Sequence, residues 1–242
     1  MSFRTKVIQV LIDINERMVF YPSLRKFYTA ALKDKGLSIV DVGSNKGQSI
    51  DFFLKINNQA TIFGFEPNQK LYTGLKKKYE QQANVHLFNL GVSSNNGKLL
   101  FHENILDETS TFEQINFDSE YLKKKAKVLG VNKNELVVGS YEVEVTTLQS
   151  FLESHPGKYF DVLKIDVEGH ELQTLKGLFT GIRENYPIRF IQIESHNDDM
   201  YIGASAGEIG DLLQKNGFFE VAKFKHGFGD FYEIIYEYKI KA

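Results

Sequence analysis

A glycine-containing turn offers the first residues that could bind a ligand. In IVDVGSNKGQS, residues 39–49, Asp41 closes an apolar run, and Gly43 and Gly47 follow at G-x-x-x-G spacing. Glycines let a backbone pass close to a ligand, and the helix expected after Gly47 offers free N–H groups. The middle glycine of a dinucleotide site and the Gly-Lys pair of a P-loop are both absent. The pattern indicates a nucleotide-type site that suits a ligand's ammonium group better than a pyrophosphate, and a plain tight turn is the alternative.

A carboxylate follows the next apolar run. Glu66 lies in IFGFEPN, 19 residues after Gly47. An acid about 20 residues beyond a glycine turn is placed to accept hydrogen bonds from both hydroxyls of a ribose. The alternative is an acid stabilised at a helix N-terminus, which Pro67 also fits. The turn and the acid together favour a nucleoside site more strongly than either does alone.

The third cluster is acidic and contains a histidine. In DVLKIDVEGHE, residues 161–171, Asp166 ends an apolar run, and Glu168, His170 and Glu171 follow. Ligands of open α/β sheets bind outside the carboxyl ends of strands. Three acids and a histidine at such an end are costly to bury without a purpose. A helix N-terminus that carries acids because of its dipole is the alternative.

The fourth cluster repeats this arrangement. IQIESHND, residues 191–198, is an apolar run that ends in Glu194 and His196. On adjacent strands, this end and the end at Asp166 would face one cleft. A histidine beside carboxylates can act as a general base near neutral pH, although His196 could equally be a hydrogen-bonded residue at a strand end. The acids allow a divalent metal, but no spacing is diagnostic, so no metal ligand is assigned.

The elements that must position these clusters alternate between strand and helix. Strand-like runs lie at residues 37–42, 61–65, 85–90, 160–167 and 188–193, and helical periodicity follows most of them. Strands that are apolar throughout indicate a parallel sheet covered on both faces, so the predicted class is α/β. Asn96-Gly97 predicts a type I′ hairpin, and residues 218–238 read as two aromatic-rich strands, one of them antiparallel to the rest.

We predict a helical cap at residues 1–35 and a single large domain at residues 36–242. An apolar stripe formed by Val7, Leu11, Ile14 and Met18 indicates a helix in the cap, and the polar segment at about 103–141 is predicted to be a lid-like insertion. Charged residues interrupt the apolar N-terminus before a signal sequence or membrane span could form. We therefore expect no transmembrane segment and a cytoplasmic location.

The composition narrows the possible functions. The 242 residues carry 29 Lys+Arg against 31 Asp+Glu, a net charge of -2, which argues against a general nucleic-acid binder. The chain has no cysteine, which excludes disulfides, zinc thiolates, iron–sulfur clusters and cysteine nucleophiles.

Seven segments resemble the FkbM family of S-adenosylmethionine-dependent methyltransferases, in the order of that family: VDVGSNKGQ, FGFEPN, NLGVSSNNGKLLFHE, ETSTF, VEVTTLQSFL, DVLKIDVEGHE and IQIESH. The resemblance covers about residues 36–200. It implies a class I methyltransferase fold, a Rossmann-like three-layer sandwich. Its seven-stranded, mostly parallel sheet has the order 3-2-1-4-5-7-6, with the seventh strand antiparallel.

The resemblance also implies roles for particular residues. Cofactor-binding residues would be Asp41, Gly43, Ser44, Asn45 and Gly47 at the methionine end, Glu66 at the ribose, Asn89, Gly91 and Val92 near the adenine, and Asp166 near the methyl group. Catalytic residues would be Asp166, Glu168, His170 and His196. Acceptor-binding residues would be Ser110, Thr111 and Glu194. We expect His196 or His170 to act as the base, oriented by Asp166 or Glu168.

Family members typically methylate hydroxyl groups, so the expected partner is a small-molecule or glycan acceptor, which the sequence does not name. The sequence also indicates no oligomeric state. Two other functions remain open. One is an NAD-dependent dehydrogenase, against which the absent middle glycine argues. The other is a non-catalytic binding module, against which the acids at positions 41, 66 and 166 argue.

Overall fold

The computed structural model describes ten stretches of the chain: residues 20–32, 36–104, 110–114, 116, 118–119, 122–123, 137–181, 185–196, 206–226 and 231–239. The apolar stripe predicted at residues 7–18 lies outside these stretches, as does much of the predicted insertion. Among the helices in these stretches, none combines the length and apolar character that crossing a bilayer requires.

Strands and helices alternate along most of the described chain. The strands are β1 (Ser38–Val42), β2 (Thr61–Phe65), β3 (Val85–Phe88), β4 (Gly91–Val92), β5 (Gly97–Asn104), β6 (Val137–Thr146), β7 (Phe160–Ile165), β8 (Ile188–His196), β9 (Phe218–Lys225) and β10 (Phe231–Tyr238). The helices are α1 (Tyr21–Ala31), α2 (Gln48–Ile56), α3 (Gln69–Lys78), α4 (Leu148–Glu153), α5 (Glu171–Leu178) and α6 (Ala206–Lys215).

The main sheet has seven strands in the order β3-β2-β1-β7-β8-β10-β9. Strand β10 is antiparallel to both of its neighbours, whereas β1, β2, β3, β7 and β8 pair in parallel. Every residue of β1 and of β7 is buried, as expected for central strands covered on both faces. The α/β class, the strand order and the single antiparallel strand are all confirmed.

Side-chain alternation along the strands divides the core into two layers. On one face, Val40, Leu163 and Ile191 pack against α4, α5 and α6. On the other, Ile39 and Val162 pack against α1, α2 and α3. The molecule is therefore a three-layer α/β/α sandwich. The residues of α1 that belong to the predicted cap contribute directly to the second layer.

The hairpin predicted at Asn96-Gly97 is wrong. Strands β4 and β5 do not pair with each other but flank β6, in a small sheet of order β4-β6-β5. The Asn96 side chain explains the difference, because it accepts a hydrogen bond from the Thr147 backbone N–H at 2.9 Å and donates one to Ser150 Oγ at 2.9 Å. The turn is thus tied to the start of α4. The predicted C-terminal hairpin is confirmed by the pairing of β9 with β10.

Candidate active site

A cleft of about 470 Å³ opens at the carboxyl ends of the parallel strands. Its volume lies in the usual range for small-molecule sites. The cleft brings together most of the residues predicted from sequence: Gly43, Ser44, Asn45, Glu66, Gly91, Val92, Ser110, Thr111, Asp166, Glu168 and Glu194. The turns after β1, β2 and β7 therefore meet at one edge of the sheet.

The turn after β1 fits tightly against the ends of both neighbouring strands. The backbone N–H groups of Gly43 and Ser44 donate to the Phe65 carbonyl at 3.0 and 2.9 Å. Gly43 has φ +85°, and a Cβ there would lie 1.8 Å from the Asp166 carbonyl oxygen. Any larger residue would force the two turns apart, so the glycine is required for the shape of the cleft wall.

The carboxylate of Glu66 is held in one orientation. It is buried, and its two oxygens accept hydrogen bonds from the backbone N–H groups of Asn45 and Asn68, each at 2.8 Å. A carboxylate offers about four lone-pair sites, so both oxygens can still accept bonds from a ligand. Asn89, predicted to lie near an adenine, instead donates its amide to the carbonyls of Glu66 and Pro67. It supports the Glu66 turn and is not among the lining residues.

Two other predicted cofactor residues lie behind the cleft wall. Asp41 is fully buried, and neither of its carboxylate oxygens accepts a hydrogen bond of good geometry within the described structure. Burial raises the pKa of Asp41, and the charge of Lys164 opposes part of that rise. Gly47 has φ +82°, and a Cβ there would lie 2.4 Å from the Tyr79 hydroxyl. Gly47 packs closely against Tyr79, the residue that follows α3, and is not among the lining residues.

A buried polar row runs across the sheet beneath the cleft. The strand register places Asp41 opposite Lys164, and Lys164 opposite Gln192. The Lys164 ammonium lies 2.7 Å from an Asp166 oxygen. Burial alone lowers the pKa of Lys164, but the charges of Asp166, Glu233 and Asp41 outweigh it and raise the pKa above its usual value.

Sequence reasoning missed Lys164, Gln192 and Glu233, which all line the cleft. A lysine in the middle of a strand that is mostly apolar was the available signal, since lysine is almost never fully buried without a partner. The Tyr28 hydroxyl on α1 donates to Gln192 Oε1 at 2.6 Å, which links the row to the helical layer above it.

Three carboxylates converge at the mouth of the cleft. Asp166, Glu168 and Glu194 each offer an oxygen, and these oxygens all lie within 4.8 Å of one another. Glu168 has φ 52°, a left-handed conformation that is uncommon for a residue with a side chain. Thr111 Oγ donates to the Glu168 carbonyl at 2.7 Å, so the segment after β5 secures this strained turn. Like charges at such distances repel, and a ligand, a cation or a proton among them would relieve that repulsion.

Glu233 is a further carboxylate in the lining of the same cleft. It is 4% exposed, and its Oε2 has no hydrogen-bond partner among the described residues. It lies opposite Glu194 in the register of β8 and β10. Burial raises the pKa of Glu233, although the charge of Lys164 acts against it.

The structure places His170 away from the cleft. Its Nδ1 lies 2.7 Å from a Glu113 carboxylate oxygen and its Nε2 lies 2.9 Å from Ser93 Oγ, so both ring nitrogens are engaged. The ring is buried and is not among the lining residues. His170 therefore holds the segment around Thr111 rather than facing a substrate. The backbone of His196 ends β8, but its side chain lies outside the described part of the chain.

The chain is similar in sequence to known methyltransferases. Residues 41–219 match the family model described as the methyltransferase FkbM domain. The chain is 25% identical over 190 residues to the 2-O-methyltransferase NoeI of Sinorhizobium fredii, covering 78% of this chain and 75% of NoeI. It is 26% identical over 157 residues to the hexuronic acid methyltransferase AglP of Haloferax volcanii, covering 64% of this chain and 54% of AglP.

A solved structure shares the fold. The magnesium protoporphyrin IX methyltransferase ChlM from Synechocystis PCC 6803, determined with bound S-adenosylmethionine, superposes with a TM-score of 0.52 at 15% identity. The superposition covers 98% of this chain and 83% of ChlM. At this identity the likeness concerns the fold alone.

Proposed function

The chain belongs to the FkbM methyltransferase family, and from this membership we propose that it methylates a hydroxyl group of a sugar, with S-adenosylmethionine as the methyl donor. The family match supports the donor and the reaction type. The names of NoeI and AglP support a sugar as acceptor, although the chain spans only 54% of the length of AglP.

The observation that carries the proposal is the pairing of Glu66 with the turn after β1. The Glu66 carboxylate is oriented by two backbone N–H groups and faces the same cleft as Gly43, Ser44 and Asn45. A ribose donates hydroxyl groups, and Glu66 is an acceptor that is already in place. The acids of the cleft also suit the positive sulfonium and ammonium groups of this cofactor. The described residues therefore fit S-adenosylmethionine.

The acidic cluster supplies the acceptor side of the proposed reaction. Bound S-adenosylmethionine provides an electrophilic methyl carbon. The acceptor oxygen would bond to that carbon as the carbon–sulfur bond breaks, which would give S-adenosylhomocysteine and a methyl ether. The hydroxyl proton passes to a carboxylate of Asp166, Glu168 or Glu194. Positioning of the acceptor and proton removal by a base are the contributions of this chain.

The first test measures cofactor binding. Isothermal titration with S-adenosylhomocysteine should show binding to the wild type. In Glu66→Gln the dissociation constant should rise at least about tenfold, since a hydrogen bond to a charged group contributes about 1.5–3 kcal/mol. Glu80→Gln, a matched change at an exposed glutamate, should leave it unchanged. Equal affinity of Glu66→Gln and Glu80→Gln for S-adenosylhomocysteine would show that Glu66 does not bind the cofactor.

The second test measures methyl transfer. Donor carrying a labelled methyl group is incubated with hexoses, hexuronic acids and short oligosaccharides, and the product is located by mass spectrometry. The proposal expects a mass gain of one methyl group on a sugar oxygen. Transfer to a nitrogen or to a non-sugar hydroxyl only, in protein that binds S-adenosylhomocysteine, would overturn the sugar assignment.

A further inference from the structure

The acidic cluster has the composition of a cation site. Asp166 follows β7, Glu168 lies two residues beyond it, and Glu194 lies in β8, so two separate segments supply the three oxygens. Among the side chains that the structure describes, this group includes no nitrogen or sulfur ligand. Carboxylate oxygens alone suit hard divalent cations such as Mg²⁺ and Mn²⁺ rather than zinc or copper.

A second observation, independent of the cluster, points to the same place. Glu233 Oε2 is buried and has no hydrogen-bond partner in the described structure. Because Glu233 and Glu194 are opposite residues of an antiparallel pair, their side chains lie on the same face of the sheet. Both line the cleft that contains Asp166 and Glu168. A buried acceptor that lacks a donor therefore faces the space beside the cluster.

The part of the cleft lining that the structure describes carries more carboxylates than ammonium or guanidinium groups. Lys164 is the one lysine or arginine among the lining residues that the structure describes, and it is already paired with Asp166 at 2.7 Å. Glu168, Glu194 and Glu233 face the same space. A divalent cation between Asp166, Glu168 and Glu194 would offset the repulsion among their carboxylates.

We propose that Asp166, Glu168 and Glu194 bind a divalent cation of the Mg²⁺ or Mn²⁺ type, and that its open positions bind hydroxyl oxygens of the acceptor. The second half of this inference rests on the proposed function. Each carboxylate contributes one oxygen to the cation. Because Asp166 Oδ2 is paired with Lys164, the second oxygen of Glu168 or Glu194 is the atom that takes the acceptor's proton. Mg²⁺ usually retains several waters, and the free oxygen of Glu233 can accept a hydrogen bond from one of them.

The test uses the metal alone. Full-length protein is treated with EDTA, desalted and titrated with Mn²⁺, and unbound Mn²⁺ is measured by electron paramagnetic resonance. The wild type should bind one Mn²⁺ that Mg²⁺ displaces. Glu168→Gln and Glu194→Gln should each weaken binding at least about tenfold. Glu144→Gln, a matched change at an exposed glutamate on β6, should bind as the wild type does.

Affinity for S-adenosylhomocysteine serves as the folding control for each variant. A variant that still binds this compound and no longer binds Mn²⁺ supports the site. The absence of Mn²⁺ binding by the wild type at millimolar concentration would overturn it, as would equal Mn²⁺ affinity in Glu194→Gln and the wild type.

The two proposals fail in different ways. Methyl transfer to a sugar that survives EDTA, in protein without Mn²⁺ affinity, would overturn the cation site and leave the proposed function standing, with the acids binding sugar hydroxyls directly. Mn²⁺ binding that depends on Glu194, without transfer to any sugar, would support the site and overturn its role with a sugar acceptor.

Discussion

At the scale of single residues, the carboxylates of the cleft differ in what compensates them. Glu66 accepts two backbone hydrogen bonds, and Asp166 has the Lys164 ammonium at 2.7 Å. Asp41 and the Oε2 atom of Glu233 have no such partner in the described structure. Burial raises the pKa of both of these groups. Carboxylates in one region of the sheet therefore differ in their partners and in how strongly they hold a proton.

The raised pKa of Asp41 predicts a pH-dependent stability. A folded state that binds the proton more tightly than the unfolded chain loses stability as the pH rises from the unfolded pKa, about 3.9, through the folded pKa. Asp41→Asn removes that cost. The free energy of unfolding of the variant minus that of the wild type should therefore increase from about pH 4 to pH 7.

Urea denaturation at several pH values measures this difference. Asp211→Asn, a matched change at an exposed aspartate of α6, should show no comparable trend. A difference for Asp41→Asn that falls with rising pH would mean that the folded protein favours the ionised form of Asp41.

At the scale of elements, the turns after β1 and β7 and the segment after β5 hold one another in place. A Cβ at Gly43 would collide with the Asp166 carbonyl, and Thr111 binds the Glu168 carbonyl. The His170 ring joins Glu113 to Ser93 across the same region. The turns that form the cleft wall therefore contact one another directly, and a substitution in one of them should shift the backbone of its neighbours.

Gly47 should be intolerant of alanine. Its φ of +82° is costly for a residue with a Cβ, and that Cβ would lie 2.4 Å from the Tyr79 hydroxyl. Gly47→Ala should lower the free energy of unfolding by at least about 1–2 kcal/mol. Gly74→Ala is the matched control, because nothing lies within 4 Å of a Cβ in the middle of α3, and it should raise stability by up to about 1 kcal/mol. Chemical denaturation that ranks the two variants equally would contradict this account.

His170→Ala should affect acceptor binding rather than proton transfer. Loss of the Glu113 and Ser93 contacts should loosen residues 110–113, which carry Ser110 and Thr111 into the cleft. We expect the KM for the acceptor to rise several-fold, while the pH–rate profile keeps its shape and S-adenosylhomocysteine affinity stays unchanged.

Steady-state kinetics across pH, with exposed His86→Ala as control, measure this effect. A change in the shape of the pH–rate profile in His170→Ala, absent in the control, would instead support His170 as the base.

At the scale of the whole molecule, the polar row ties the centre of the sheet to one helical layer. It runs from Asp41 on β1 through Lys164 on β7 to Gln192 on β8, and Tyr28 on α1 donates to Gln192. Lys164 is the member with positive charge, and carboxylates surround it. Lys164 therefore affects both the stability of the sheet and the charge of the cleft.

Lys164→Met should be strongly destabilising, because it removes the positive charge beside the buried carboxylates of Asp41 and Glu233 and the ion pair with Asp166. We expect a loss of about 3–5 kcal/mol in the free energy of unfolding. Lys176→Met, at an exposed position of α5, should change it by less than about 0.5 kcal/mol. Adding Asp41→Asn to Lys164→Met should recover part of the loss, and strictly additive effects of the two changes would show that the groups do not interact.

Much of the fold was predictable because its signals are local. Short, mostly apolar runs predicted the buried strands, and the resemblance implied the strand order that the structure confirms. The glycine turn and Glu66 were identified because glycines directly after a strand, followed about 20 residues later by an acid, are typical of a nucleoside site. Asn96-Gly97 gave a wrong prediction because a two-residue turn signal depends only on local sequence. It does not show that β6 lies between β4 and β5 in the sheet.

The sequence by itself determined which residues end the strands, since that depends on the hydrophobicity and backbone preferences of neighbouring residues. Only the tertiary structure decided which of those side chains meet. It brought Glu233 beside Glu194, gave Lys164 its carboxylates and turned His170 toward Glu113. These contacts join segments far apart in the chain, and strand register and the path of the connecting turns set them. A pattern read along the chain does not contain that information.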